Sequence, residues 1–230
     1  MILKSNESLV LHFVSIPDRT KHLRAVSPVL TLLLSTVAAL LCGCASAGHS
    51  FNNSAVDKLD LGQLQSTDWR SVFGDKPEVT SLSTTADGRF ETVRFYYAQV
   101  DIVATFRSRI LILEFKNGKL NGFIYVSSFD EHQPEIPSDK LTQISVNVSK
   151  KTDVLNILGK PGGKAFCPTK LVDFKDNCDK CVETWKWTSI SRVSGFAPPD
   201  AREPSVNSIS VGFDKDGVVS EVGTDSLNIH

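Results

Sequence analysis

Read as alternating apolar and polar positions, the chain has one unbroken apolar run, followed by helix-like and strand-like patterns that recur. The run is residues 29–41, about 13 positions without a charge. Residues 45–65 are at first small and polar, which predicts a flexible tether with a short helix over 56–64. Residues 66–73 predict a short helix, capped by Ser66 or Thr67 and closed by Gly74, with Pro77 forbidding its continuation. Asp87-Gly88 turns the chain into an aromatic, β-branched strand over 90–100. Two further strands, 109–116 and 119–127, meet across Asn117-Gly118, a pair that tolerates the positive φ of a tight hairpin. Residues 130–137, acidic and broken by Pro134 and Pro137, read as a linker.

The order then repeats. Residues 149–158 predict a capped helix ended by Gly159 and Pro161, with Val154, Leu155 and Leu158 spaced for one buried face. Strands are predicted near 164–167, over 182–190, over 206–213 after a polar loop at 195–204, and over 218–222 after Asp216-Gly217. Phe115 to Leu120 matches Phe213 to Val218 in turn chemistry, and Gly74 to Pro77 corresponds to Gly159 to Pro161. The pattern predicts an α+β fold of two tandem small units, each with short helices packed on an antiparallel sheet. Its boundaries are a signal peptide over 1–43, a lipid-anchored tether over 44–65, a first unit over 66–130 and a second over 138–226. Against duplication stands the commonness of short helices and glycine hairpins, which can coincide by chance.

The apolar run is too short for a comfortable bilayer span and suits a signal-peptide core, with Arg19, Lys21 and Arg24 as its basic flank. Leu41-Cys42-Gly43-Cys44 resembles a bacterial lipoprotein box, with Leu three before the cysteine and Gly just before it. That resemblance implies cleavage between Gly43 and Cys44, with Cys44 becoming the lipidated first residue. Ala45 is not the aspartate that marks inner-membrane retention in such proteins, which implies the outer membrane, facing the periplasm. A plain secretory signal cut near Ala47 is the alternative.

Composition narrows the partners. Of 25 basic and 26 acidic residues, four and two precede Cys44, leaving 21 and 24, a net charge of −3. A nucleic-acid partner would call for a basic face, and none is predicted. Beyond the leader, histidine occurs at His49, His132 and His230, none beside a serine or cysteine in a nucleophile setting. Gly162-Gly163 precedes a strand where a phosphate loop would follow one. Asp173, Asp176 and Asp179 lack the ordered ligand pattern of a calcium loop. The expectation is a non-enzyme without cofactor or metal.

Cys167, Cys178 and Cys181 are the one unusual polar constellation. In an exported protein a disulfide is the default use of such residues. Antiparallel pairing of 164–167 with 181–184 would set Cys167 opposite Cys181 and permit a bridge, with Cys178 as the alternative partner. A zinc knuckle at Cys178 and Cys181 has the right spacing and lacks a fourth ligand. Trp185 and Trp187 share one face of a strand, as do Phe95 and Tyr97, with Tyr96 on the opposite face. Core packing is the favoured reading of both pairs; an aromatic anchor for a partner protein is the other.

Residues 148–161, with Asp153-Val154 and Leu158-Gly159-Lys160-Pro161, together with Thr184 to Trp187 and Val211 to Val218, resemble the BamE (SmpA/OmlA) outer-membrane lipoproteins. Two such units in tandem are similar to the β-lactamase inhibitor protein fold. The resemblance implies a protein–protein interaction module of the envelope, in outer-membrane assembly or maintenance. An envelope inhibitor or ligand-binding protein acting on a hydrolase is the alternative.

Overall fold

The computed structural model describes residues 46–101, 105–129, 138–171, 180–190, 193–194 and 205–228. The chain divides into residues 1–43 and 44–230, and the described residues all lie in the second part. Cys44, Cys178 and the predicted linker at 130–137 fall outside them. Among the described residues no helix is long and apolar enough to cross a membrane.

The fold is mostly antiparallel sheet with few helices. Ten strands are described: β1 (Ser46–Gly48), β2 (Val79–Thr85), β3 (Gly88–Val100), β4 (Thr105–Lys116), β5 (Lys119–Ser127), β6 (Gly163–Phe166), β7 (Glu183–Ile190), β8 (Val193–Ser194), β9 (Ser205–Phe213) and β10 (Val219–Asn228). The main path runs β1-β3-β4-β5-β6-β7-β9-β10, with β2 on the outer edge of β3 and β8 on β4. The Asn117-Gly118 hairpin has the positive φ values, 51° and 85°, that its sequence predicts.

Side-chain alternation along the strands gives the sheet one face that carries the helices. On that face α1 (Trp69–Phe73) sets Trp69 and Phe73 against Val93, Phe95, Leu111, Leu113 and Phe115. Further along, α2 (Lys151–Leu158) sets Val154 and Leu158 against Trp185, Trp187, Ile209, Val211 and Phe213. Leu155, expected on the buried side of α2, is exposed. The helix covers the sheet through the i, i+4 pair Val154 and Leu158, with Ile157 partly buried beside them. Asp153 caps it, accepting from the Lys150 amide at 2.8 Å. At α1 the expected caps fail: Asp68 is the N-cap residue, and no side chain bonds the first amides.

The stretch predicted as a tether is in part packed. Ser46–Gly48 pairs with β3, a 3-10 helix spans Asn53–Lys58, and Phe51 and Val56 are buried in the first core. Phe51 lies 5.6 Å from Phe95 and 6.4 Å from Tyr125, ring centre to ring centre. Leu59, Leu61 and Leu64 pack against the same core, so scattered apolar side chains dock a stretch whose first residues read as linker.

The two halves share a sheet through β5 and β6, paired at Gly122↔Ala165, Phe123↔Lys164 and Ile124↔Gly163. Backbones approach closely there: a Cβ on Gly122 would stand 2.6 Å from the Ala165 Cβ, and one on Gly163 2.8 Å from the Phe123 carbonyl oxygen. Gly162-Gly163 serves this junction, with the Tyr125 amide donating to the Gly162 carbonyl at 2.8 Å.

Candidate functional site

Of the four aromatic residues for which core packing is the favoured reading and a partner anchor the alternative, three are core. Phe95, Trp185 and Trp187 are buried, and Trp69 stands edge-on to Phe95. Trp185 packs edge-on to Phe213 at 4.8 Å, and Trp187 donates its indole N–H to the Gly159 carbonyl at 3.3 Å. Glu183 organises this corner: one carboxylate oxygen accepts from the Trp185 indole and the other from Lys151 at the start of α2. The two tryptophans belong to the second core and Phe95 to the first, and all three are closed to a partner.

Tyr97 differs. It is half-buried at the border of the first core, stacked on Phe129 with ring centres 6.1 Å apart and planes 20° from parallel. The Arg109 guanidinium lies 4.1 Å above Phe129 and 5.5 Å from the Tyr97 ring. Cross-strand register explains the meeting, because Tyr97 and Arg109 are directly opposed on β3 and β4. Arg109 Nε is buried with no hydrogen-bond partner among the described residues. Tyr and Arg in a half-desolvated cluster are the residue types that anchor protein interfaces. The sequence names Tyr97; Arg109 and Phe129 emerge only with the pairing.

The far face of the sheet is mixed and partly strapped, with an apolar cluster of Ile124, Val126 and Ile190 beside buried polar groups. Glu114 on β4 is fully buried there. It accepts from Asn121 Nδ2 at 2.8 Å, from the Thr169 hydroxyl at 2.8 Å and from the Lys170 amide at 2.9 Å. Lys170 Nζ continues across the sheet to the Ser83 hydroxyl at 2.6 Å, lying 5.4 Å from the Phe90 ring. The segment after β6 is thereby laid over β4 and β3. Beyond it, Lys186 lies on the same face with Thr184, Thr188, Ser208 and Ser210, all four buried. Burial pushes the Lys186 amine below its ordinary range, and Asp225 opposes that shift by attraction.

The cysteine register is one step from the expected one. Phe166 pairs with Glu183, and the Cys167 amide donates to the Val182 carbonyl at 2.9 Å, so Cys167 stands opposite Val182 rather than Cys181. The Cys181 thiol lies 3.3 Å from the Glu183 carbonyl.

Chemistry at these places is modest. Among the described residues no group of three or more His, Cys, Asp or Glu side chains is placed to hold a metal. A pocket of about 370 Å³ beside the Asn117-Gly118 turn brings together Ser66, Arg89 and Glu91. It can hold a small polar group through one guanidinium and one carboxylate.

A scan against protein-family models matches none, and no curated protein matches the chain. Among solved structures, a candidate beta-lactamase inhibitor protein from Streptococcus mutans is similar at 9% identity, covering 75% of this chain and 93% of that one. Its TM-score is 0.39, a likeness too loose to bear on fold or function.

Proposed function

We propose that this protein is a membrane-anchored envelope lipoprotein acting as a protein–protein interaction module in outer-membrane assembly or maintenance. Anchoring through lipidated Cys44 is supported by the basic flank, apolar core and Leu41-Cys42-Gly43-Cys44 of the leader. Two tandem helix-on-sheet units, joined edge to edge, would form the body that the anchor presents. A bridge from Cys167 to Cys178 would staple the connection between β6 and β7.

One observation carries the interaction reading: half-buried Tyr97 and Arg109 braced on buried Phe129. A tyrosine and a guanidinium held rigidly in this way offer contact area at low conformational cost, together with a charge that a partner carboxylate can pair. A photo-crosslinking amino acid at Gln99, beside the Tyr97 hydroxyl (3.3 Å), tests it in intact cells. Capture of β-barrel assembly components supports the assembly role. Capture of a soluble hydrolase would instead establish the inhibitor or ligand-binding alternative. Failure of crosslinking at Gln99 alongside success at far-face positions such as Ile112 would overturn the assignment of the stack.

A further inference from the structure

β2 forms an open edge of the sheet. It pairs with β3 through Val79↔Arg94 to Thr85↔Gly88, and among the described residues its other side has no partner strand. Six of its seven residues are exposed, Leu82 by 57% and Val79 by 42%. The strand carries no charge and no proline, and the register of its pairing with β3 is regular. Charges, prolines and bulges are the devices by which proteins blunt such edges, so this one is left as a template for strand addition.

The strand's own sequence says what it fits. Val79-Thr80-Ser81-Leu82-Ser83-Thr84-Thr85 is nearly the same read in either direction. Antiparallel pairing of two copies about Leu82 sets Leu82 against Leu82, Ser81 against Ser83, Thr80 against Thr84 and Val79 against Thr85. Every pair is like with like or β-branched with β-branched, the combinations that pack well across strands. Residues whose amides and carbonyls point outward alternate along a strand, and a register centred on one residue matches outward groups with outward groups.

We propose that two copies of this chain associate through β2, in a two-fold, antiparallel edge-to-edge pairing centred on Leu82 that continues the sheet from one molecule into the next. The contact is isologous and therefore closes at two. Seven paired residues bury less than the roughly 800 Å² per partner of a standard stable interface, so the dimer is concentration-dependent.

Sedimentation of the full chain in detergent, over a wide concentration range, should show a monomer–dimer equilibrium. Leu82→Lys sets two cations on the dyad and should shift the equilibrium to monomer, with the melting temperature little changed because the side chain is mostly exposed. Leu82→Cys should form a dimer on mild oxidation, with a disulfide joining the two introduced thiols, identified by peptide mapping. Val79→Cys should not, because the two copies of that position lie about 20 Å apart, six steps of ~3.4 Å. A monomer at every concentration, a dimer that survives Leu82→Lys, or equal self-linking at 79 and 82 would each overturn the proposal.

Discussion

Asn121 donates to Glu114 at 2.8 Å across the β4–β5 irregularity, where the register passes from Glu114↔Gly122 to Phe115↔Leu120 and leaves Asn121 unmatched. The extra residue aims its amide at the carboxylate and also reaches the Phe166 and Pro168 carbonyls at 3.2 and 3.3 Å. A bulge in one half of the sheet thus fastens the segment that leaves β6 in the other.

Removing that carboxylate leaves Asn121, Thr169 and the Lys170 amide without their shared acceptor in a buried place. Glu114→Ala should cost on the order of 3 kcal/mol, within the range for stranding buried donors. Glu114→Gln keeps one acceptor and turns a second into a donor facing donors, so its cost should be smaller but clear. Chemical denaturation of the three proteins checks the order. Hydrogen exchange at the Lys170 amide should rise in both variants.

The junction glycines make a second prediction. A methyl on Gly122 meets the Ala165 Cβ at 2.6 Å and Leu171 Cδ1 at 2.8 Å, and only the leucine can swing aside. Gly122→Ala should therefore destabilise by about 1–3 kcal/mol, the usual scale for overpacking. Adding Ala165→Gly removes the fixed neighbour and should restore much of the loss. If the double variant melts below the single one, close approach is not what Gly122 serves.

These two places show what the sequence reveals and what it hides. Local chemistry is legible: Asn117-Gly118 specifies a hairpin through two residues, and Gly159 ends α2 with a positive φ. The Trp185–Trp187 and Phe95–Tyr97 spacing places the members of each pair on one strand face, and three of the four prove to be core. Glu114 reads in a strand as an ordinary outward position, because Asn121, Thr169 and Lys170 arrive from elsewhere in the chain. β2 leaves no pattern to read, since both its faces are solvated and alternation needs one buried face to show. β10 runs to Asn228, beyond the predicted end at 222, because pairing with β9 carries a polar segment that has no pattern of its own. Phe51 and Val56 are hidden by the small polar residues around them, and no local signal specifies the β6–β7 register that sets Cys167 opposite Val182.

Core and surface aromatics should separate in their readouts. Trp187→Ala opens a cavity in the second core and should cost about 3–5 kcal/mol, measured by denaturation. Tyr97→Ala, at the half-exposed stack, should lower stability far less and reduce crosslinked capture at Gln99. A Tyr97→Ala protein that keeps full capture would remove the stack from the interface.

On the proposed lipoprotein reading, anchoring rests on one thiol. Cys44→Ser deletes the acyl attachment point expected of a lipoprotein and should release the protein from the membrane fraction with its fold unchanged. One acyl chain gives marginal binding, so stable anchoring implies more than one on the mature protein. Mass spectrometry of the membrane-extracted protein should find diacylglycerol-type modification at Cys44. Persistence of the serine variant in membranes would place the anchor elsewhere.

Lys186 makes the pH prediction. Desolvation lowers its pKa below the ordinary 10.5, against the smaller opposing pull of Asp225. The unfolded chain then binds the proton more tightly than the folded one between the lowered value and 10.5. Stability must rise with pH across that window, and at lower pH the full cost of holding the half-buried cation is present. Lys186→Met removes the cation while keeping much of the stem's packing. It should be more stable than the parent at neutral pH, and the gap should narrow as pH climbs towards 10.5. Parallel melting curves for the two proteins from pH 7 upward decide the matter. A gap that widens with pH would mean that Asp225 outweighs desolvation and that the ammonium is held favourably where it sits.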